Sequence, residues 1–282
     1  MTDLPPDNLE HAARLAVRTD SMLGIDLVLV GSPPAFDVDG QVGTPSKTPS
    51  PPPTPSRSPR TEDSGPRPQG TPVIPVVIDD SFFDLERPQA ERIARLKEHH
   101  AEACPHCAGH ETDHAVVFGE GAADATLMFV GEAPGTEEER LGRPFVERAG
   151  AKLDEMIKAM GLQRDEVYIT HALKSRPPGT RSSEASDFAL CGEFFSAQVR
   201  IIKPDVIVAL GGPAAKLLLS SNLGITSLRG QWKHYSDGER DVALMPTFHP
   251  AYLLRNPTVE VRGQVWQDLQ QVMKRLGLPL PS

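Results

Sequence analysis

No stretch of this 282-residue chain approaches the roughly 18 to 20 uninterrupted apolar residues that a membrane-spanning helix needs, although 39% of its residues are hydrophobic. The N-terminus, MTDLPPDNLEH, begins polar and acidic rather than basic and then apolar, so neither secretion nor membrane insertion is expected. Cysteine is scarce as well. Three cysteines cannot make a closed disulfide framework, and the CPHC step at Cys104 and Cys107 points instead to metal or redox chemistry in a reducing, cytoplasmic setting. Basic charge is also short, with 29 Lys and Arg against 38 Asp and Glu for a net charge of −9. That balance argues against a general electrostatic nucleic-acid binder but leaves room for a local basic patch. No internal repeat is evident, and the length suits one main domain with an appendage.

Proline, by contrast, is plentiful in one place. Residues 44–75 hold 11 of the 28 prolines, with Ser and Thr filling most gaps, so backbone donors are missing and little apolar surface is available to bury. A disordered linker is expected over 44–85. Up to residue 85 there are 6 basic and 12 acidic residues, so the acidity is concentrated outside the main domain. Before the linker, Leu9, Ala12, Leu15, Ala16 and Met22 stand near helical spacing, and residues 1–43 read as a small helical extension suited to docking a protein partner.

From residue 86 onward, apolar runs of strand length alternate with amphipathic helices. This pattern predicts an α/β fold, a three-layer sandwich with a central, mainly parallel four-stranded sheet. The expected strands are 126–131, 167–170, 205–211 and 242–247, and the expected helices are 148–160, 184–202, 212–220 and 258–276. Ligands of such sheets bind at the carboxyl ends of the strands. The segments found there are GEAPGTEEERLGRPFVERAG, HALKSRPPGTR, GGPAAK and FHPAYLLRNP. Gly131 and Gly135 serve there either as ordinary turn glycines or as part of a binding loop.

Taken in order, the Cys-x-x-Cys pair, GEAPG, GRPF, KSRPPGTR and HPAYLLR resemble the iron–sulfur (family 4) uracil-DNA glycosylases over about residues 100–276. Several rare segments in the right order and spacing make the resemblance specific. It implies hydrolysis of the N-glycosidic bond of uracil in DNA after base flipping, with Gly131, Phe145 and the residue at 171 around the base. Phe145 either stacks on the flipped base, as the resemblance favours, or packs as a core residue. His249 either donates a hydrogen bond to the pyrimidine oxygen that gains negative charge or is a satisfied structural histidine. Glu132 and Glu138 are candidate carboxylates for the oxocarbenium-like sugar or the attacking water, while Glu137 and Glu139 read as a solvated charge run. Leu253 and Leu254 with Arg255 form either an apolar wedge with a phosphate contact or the buried start of a helix. Lys174, Arg176 and Arg181 make a candidate phosphate patch.

Two departures from the family pattern bear on activity. Where the family has an asparagine whose amide reads the uracil edge, this chain has His171, and an imidazole cannot offer an adjacent donor and acceptor. Where the family supplies four cysteines, the positions here are Cys104, Cys107, Ser175 and Cys191. The expected cofactor is a [4Fe-4S] cluster with an altered fourth ligand; a Cys₃His zinc site using His106, His110 or another nearby histidine, and three free thiols, are the alternatives. The expected partner is DNA containing uracil or another deaminated base, bound by a monomer. The alternative function is a weakened paralogue that binds DNA or damaged bases without efficient excision.

Overall fold

The computed structural model describes residues 78–104, 107, 116–177, 183 and 185–280. The N-terminal extension, the linker up to residue 77, His106, His110 and Arg181 lie outside the described residues. The four expected strands are present as β2 (Leu127–Gly131), β3 (Tyr168–His171), β4 (Val206–Leu210) and β6 (Asp241–Thr247). They pair in parallel in the order β3-β2-β4-β6. Every residue of β2, β3 and β4 is buried, as expected for parallel strands covered on both faces.

Among the described residues the sheet has six strands rather than four. Two antiparallel edges complete it, β1 (Glu120–Gly121) against β3 and β5 (Lys233–Ser236) against β6. Neither carries an apolar run, because an edge strand facing solvent needs none, and so composition alone did not mark them.

Alternation along the strands sends side chains to two cores. Leu127, Phe129, Val208 and Met245 pack under α3 (Glu147–Ala159), α7 (Pro250–Arg255) and α8 (Val259–Leu276). Met128, Val130, Ile207 and Leu244 pack under α4 (Ala185–Ile202) and α5 (Gly212–Leu219). The four expected helices are α3, α4, α5 and α8. Two short helices, α2 (Thr136–Leu141) and α6 (Ile225–Leu228), sit in connections after β2 and α5.

A third cluster lies on the outer side of α4. There α1 (Gln89–Ala103) packs through Leu96 together with Phe118, Phe194, Cys104 and Cys191. Phe82, in a 3₁₀ turn at Asp80–Phe83, joins this cluster and is 7% exposed. Part of the stretch read as linker therefore packs against the domain through Ile78, Phe82 and Phe83, while Leu85 is exposed. One buried phenylalanine outweighs the polar composition around it.

Among the described residues, no helix is long and apolar enough to cross a membrane.

Candidate active site and metal centre

The chain runs from β2 to β3 on one side and then returns to β4 on the other side of β2, so the carboxyl ends of β2 and β4 flank a topological switch point. A cavity of about 360 Å³ opens there, lined by Glu132 after β2, Gly211 and Pro213 after β4, and His249, Tyr252 and Arg255 after β6. A larger neighbouring cavity of about 750 Å³ also has Glu132 and Pro213 in its wall but not His249. In the smaller one an imidazole and a carboxylate border the same space.

His249 is fixed by the sequence around it. It is the N-cap of α7, Pro250 takes the first helical position, and His249 Nδ1 accepts from the Ala251 amide at 3.1 Å. With Nδ1 accepting, the neutral ring carries its proton on Nε2 and is a donor there. Burial lowers the His249 pKa to about 4, helped by the charge of His171 and Arg255 and opposed by Glu138. The ring therefore stays neutral at physiological pH.

The two candidate carboxylates differ in their surroundings. Glu138 is fully engaged: it accepts from the Gly135 and Phe145 amides, and His171 Nε2 lies 3.1 Å from its Oε1. Burial pushes its pKa up, but the His171 contact and the two amides outweigh this and hold it below the usual carboxylate value. Glu132 accepts only from the Ser183 amide among the described residues, at 3.3 Å, and borders both cavities. Glu137 pairs with Arg140 near the surface, as expected of a solvated run. Glu139 does not belong to that run. It is 5% exposed, and both of its oxygens bind Arg176, from the backbone amide and from Nε, each at 2.8 Å.

Gly131, Phe145 and His171 are brought together, yet they close on one another rather than around open space. Phe145 is 3% exposed and belongs to the main core. Its ring stacks with His171 at 4.9 Å and 18° and with His249 at 5.5 Å and 29°. A Cβ on Gly131 would stand 2.3 Å from His171 Nδ1, so only glycine fits beneath that imidazole. The loop carrying Phe145 is tightly held: Arg164 Nη2 donates to the Pro144 and Phe145 carbonyls at 2.6 and 3.1 Å, and a Cβ at Gly150 would lie 2.0 Å from the Phe145 oxygen. Glu147, just after this loop, adopts φ 53°, a left-handed conformation that strains any side chain.

The basic patch and the wedge need correction. Lys174 is fully buried, and its ammonium donates to Thr170 Oγ1, the His171 carbonyl and Gln198 Oε1, so it cannot reach a phosphate. Burial pulls its pKa down to about 7 against the raising effect of the nearby thiolates. Arg176 is committed to Glu139 and Thr136. Leu253 is 3% exposed and packs in the main core, because it lies on the sheet-facing side of α7. Leu254 is half-buried and Arg255 exposed.

On the far side of Lys174, Cys104, Cys107 and Cys191 converge with a residue that the sequence reading did not single out, His100. The three Sγ atoms and one His100 ring nitrogen all lie within 4.8 Å of one another. Cys104 is held well below the usual thiol range by hydrogen bonds from Cys107 and Cys191, and Cys107 is pushed up to about 12 by the Cys104 thiolate beside it. Three thiols and an imidazole gathered in one cluster are a donor set that fits a metal group. Ser175 is also present, its Oγ donating to Cys107 Sγ at 3.3 Å. The available signal for His100 was its position four residues before Cys104, which places both on one face of a helix.

Comparison with known proteins agrees with this geometry. The model of the Uracil DNA glycosylase superfamily matches residues 118–270. A type-4 uracil-DNA glycosylase of Thermotoga maritima is 41% identical over 182 residues, covering 64% of this chain and 93% of that protein. Counterparts from Sulfurisphaera tokodaii and Archaeoglobus fulgidus are 40% identical over 162 residues and 34% over 184, covering 56% and 64% of this chain and 74% and 92% of theirs. The chain belongs to the uracil-DNA glycosylase superfamily, within its type-4 group.

Proposed function

We propose that this protein is a DNA glycosylase that hydrolyses the N-glycosidic bond of uracil in DNA and leaves an abasic site. The observation that carries the reading is the cavity at the switch point, where the His249 imidazole and the Glu132 carboxylate border one space. Cleavage leaves negative charge on the departing pyrimidine and positive charge on the sugar. His249, neutral and protonated on Nε2, donates to the pyrimidine oxygen, and one such donor is worth about 10² to 10³ in rate. Glu132 stabilises the sugar cation or orients the attacking water. Glu138 acts through others, tying the Gly135 turn, the Phe145 loop and His171 together. Phe145 supplies the stacking surface, and Leu254 with Arg255 fills the gap left in the duplex and meets a phosphate.

The Cys104, Cys107 and Cys191 thiolates hold a metal centre, for which family membership supports a [4Fe-4S] cluster. Such a group, held by these thiols, would tie Cys104 at the end of α1 and Cys107 to Cys191 on α4. The thiols suit a reducing, cytoplasmic setting, and the protein acts as a monomer. Residues 1–43 serve as a docking arm for a protein partner.

One observation favours slow excision over fast. The Phe145 ring is covered by two imidazoles, and a base can stack on it only after His171 or His249 moves. Base release from single- and double-stranded oligonucleotides containing uracil, hypoxanthine or deaminated guanine tests the proposal. Tight binding to uracil-containing DNA with no release under single-turnover conditions would establish the binder in place of the enzyme.

A further inference from the structure

The donor set of the metal centre is not the one its family membership implies, since serine stands at 175, and the fold places a histidine ring beside the three thiols. His100 is 1% exposed, wedged between Phe118 and Phe194 at ring distances of 5.4 and 4.7 Å. A histidine buried for packing alone ordinarily satisfies its nitrogens with a carbonyl or carboxylate. Here the hydrogen-bond partners among the described residues are thiols: His100 Nε2 lies 3.4 Å from Cys107 Sγ and 3.8 Å from Cys191 Sγ. The other nitrogen, Nδ1, is buried with no hydrogen-bond partner among the described residues. Nε2 is therefore the ring nitrogen that faces the sulfurs.

Backbone geometry fixes this arrangement without help from a metal. His100 sits in the last turn of α1, and Cys104 caps the same helix by donating its amide to the His100 carbonyl at 3.1 Å. The Cys107 amide then donates to the Cys104 carbonyl, also at 3.1 Å, so the chain folds both thiols back toward the imidazole. Cys191 faces them from α4 and is wholly buried.

We infer that His100 Nε2 is the fourth ligand of the metal centre, replacing the thiolate absent at position 175, and that Ser175 is a hydrogen-bond donor to the Cys107 sulfur rather than a ligand. This rests on the reading of the thiol cluster as a metal centre. Chemistry favours nitrogen over the hydroxyl. Neutral imidazole is an ordinary ligand of zinc and of iron in Rieske-type clusters, whereas a serine hydroxyl must ionise to compete and is a hard donor for a thiolate-rich centre. A Ser175 proton directed at Cys107 Sγ also tunes that sulfur as outer-sphere donors do.

The test uses the full chain purified anaerobically, with iron, acid-labile sulfide and zinc measured per molecule. Wild type and Ser175→Ala should carry the same metal, and His100→Ala should retain roughly tenfold less or lower still. Because His100→Ala also disturbs the packing of Phe118 and Phe194, His100→Cys is the second variant and should keep full metal content. If the centre is iron–sulfur, pulsed EPR of the reduced wild type should show directly coupled ¹⁴N that His100→Cys abolishes. If it is zinc, the cobalt(II)-substituted protein should change its visible bands between wild type and His100→Cys. Unchanged metal and spectrum in His100→Ala, loss of metal in Ser175→Ala, or a wild-type chain without metal would each overturn the assignment. Uracil release measured on the same samples separates the two proposals: a centre with the His100 signature and no release would sink the enzyme reading alone.

Discussion

Replacing His171 with asparagine changes the proposed base site at its most crowded point, and the structure sets the expected size of the effect. The imidazole stacks on Phe145 at 4.9 Å, contacts Glu138 through Nε2 at 3.1 Å, and leaves Nδ1 buried without a hydrogen-bond partner among the described residues. Losing the Glu138 contact costs about 1.5 to 3 kcal/mol, and removing an unsatisfied buried nitrogen returns about 1 to 3 kcal/mol. Folding stability should therefore change by no more than about 2 kcal/mol in either direction. Base capture should change more. The shorter side chain uncovers part of the Phe145 face, and base–aromatic stacking is worth about 1 to 3 kcal/mol, or roughly 5- to 150-fold. An amide beside that face also restores the adjacent donor and acceptor that match the uracil edge. Single-turnover uracil release, with thermal melts to correct for folded fraction, should show His171→Asn faster than wild type within that range. Rapid, selective release by the wild type, with His171→Asn neutral or slower, would mean that the imidazole is itself the base reader and that its stacking on Phe145 is no obstacle.

The other expectations are independent of one another. His249→Ala should lower release by about 10² to 10³ in either background at position 171. Acid stability should also report on His249: its folded pKa of about 4 lies below the ordinary 6.5, so the unfolded chain takes up the proton first on acidification. Its contribution is therefore full above pH 6.5 and is lost toward pH 4, by about 3 kcal/mol, and a denaturation series in which His249→Ala does not flatten this slope would contradict the burial argument. Glu147→Gly should raise stability by about 1 kcal/mol in thermal or urea melts by relieving the left-handed backbone, and a drop would show that Glu147 earns its place through a contact. Leu253→Ala should cost about 2 to 5 kcal/mol of stability, while Leu254→Ala should leave melting nearly unchanged and weaken release from duplex more than from single strands; reversed effects would exchange their roles. A chain beginning at Ile78 should retain release and melt normally, whereas one beginning at Glu86 loses the buried Phe82 and should be less stable by about 3 kcal/mol; equal melts would return the boundary to residue 85.

The amino-acid order by itself determined the parallel centre of the sheet and its four principal helices, because long apolar runs and helical periodicity are local signals that burial on both faces imposes. It also determined which segments meet at the carboxyl ends of the strands, since GEAPG and HPAYLLR directly follow two of them in the chain. Tertiary structure decided what those segments do. Lys174 reads as a surface cation until the fold surrounds its ammonium with Thr170, Gln198 and a carbonyl, and Leu253 reads as a wedge until α7 turns it to the core. Glu132 and Glu138 are indistinguishable as letters, yet one borders the cavity and the other is saturated by amides and an imidazole. His100 acquires its meaning only when α4 brings Cys191 against the last turn of α1, a contact between residues 91 positions apart. The physical reason is the same in each case: a side chain's period tells which face of an element it occupies, but its charge state and partners depend on what distant element is packed against that face.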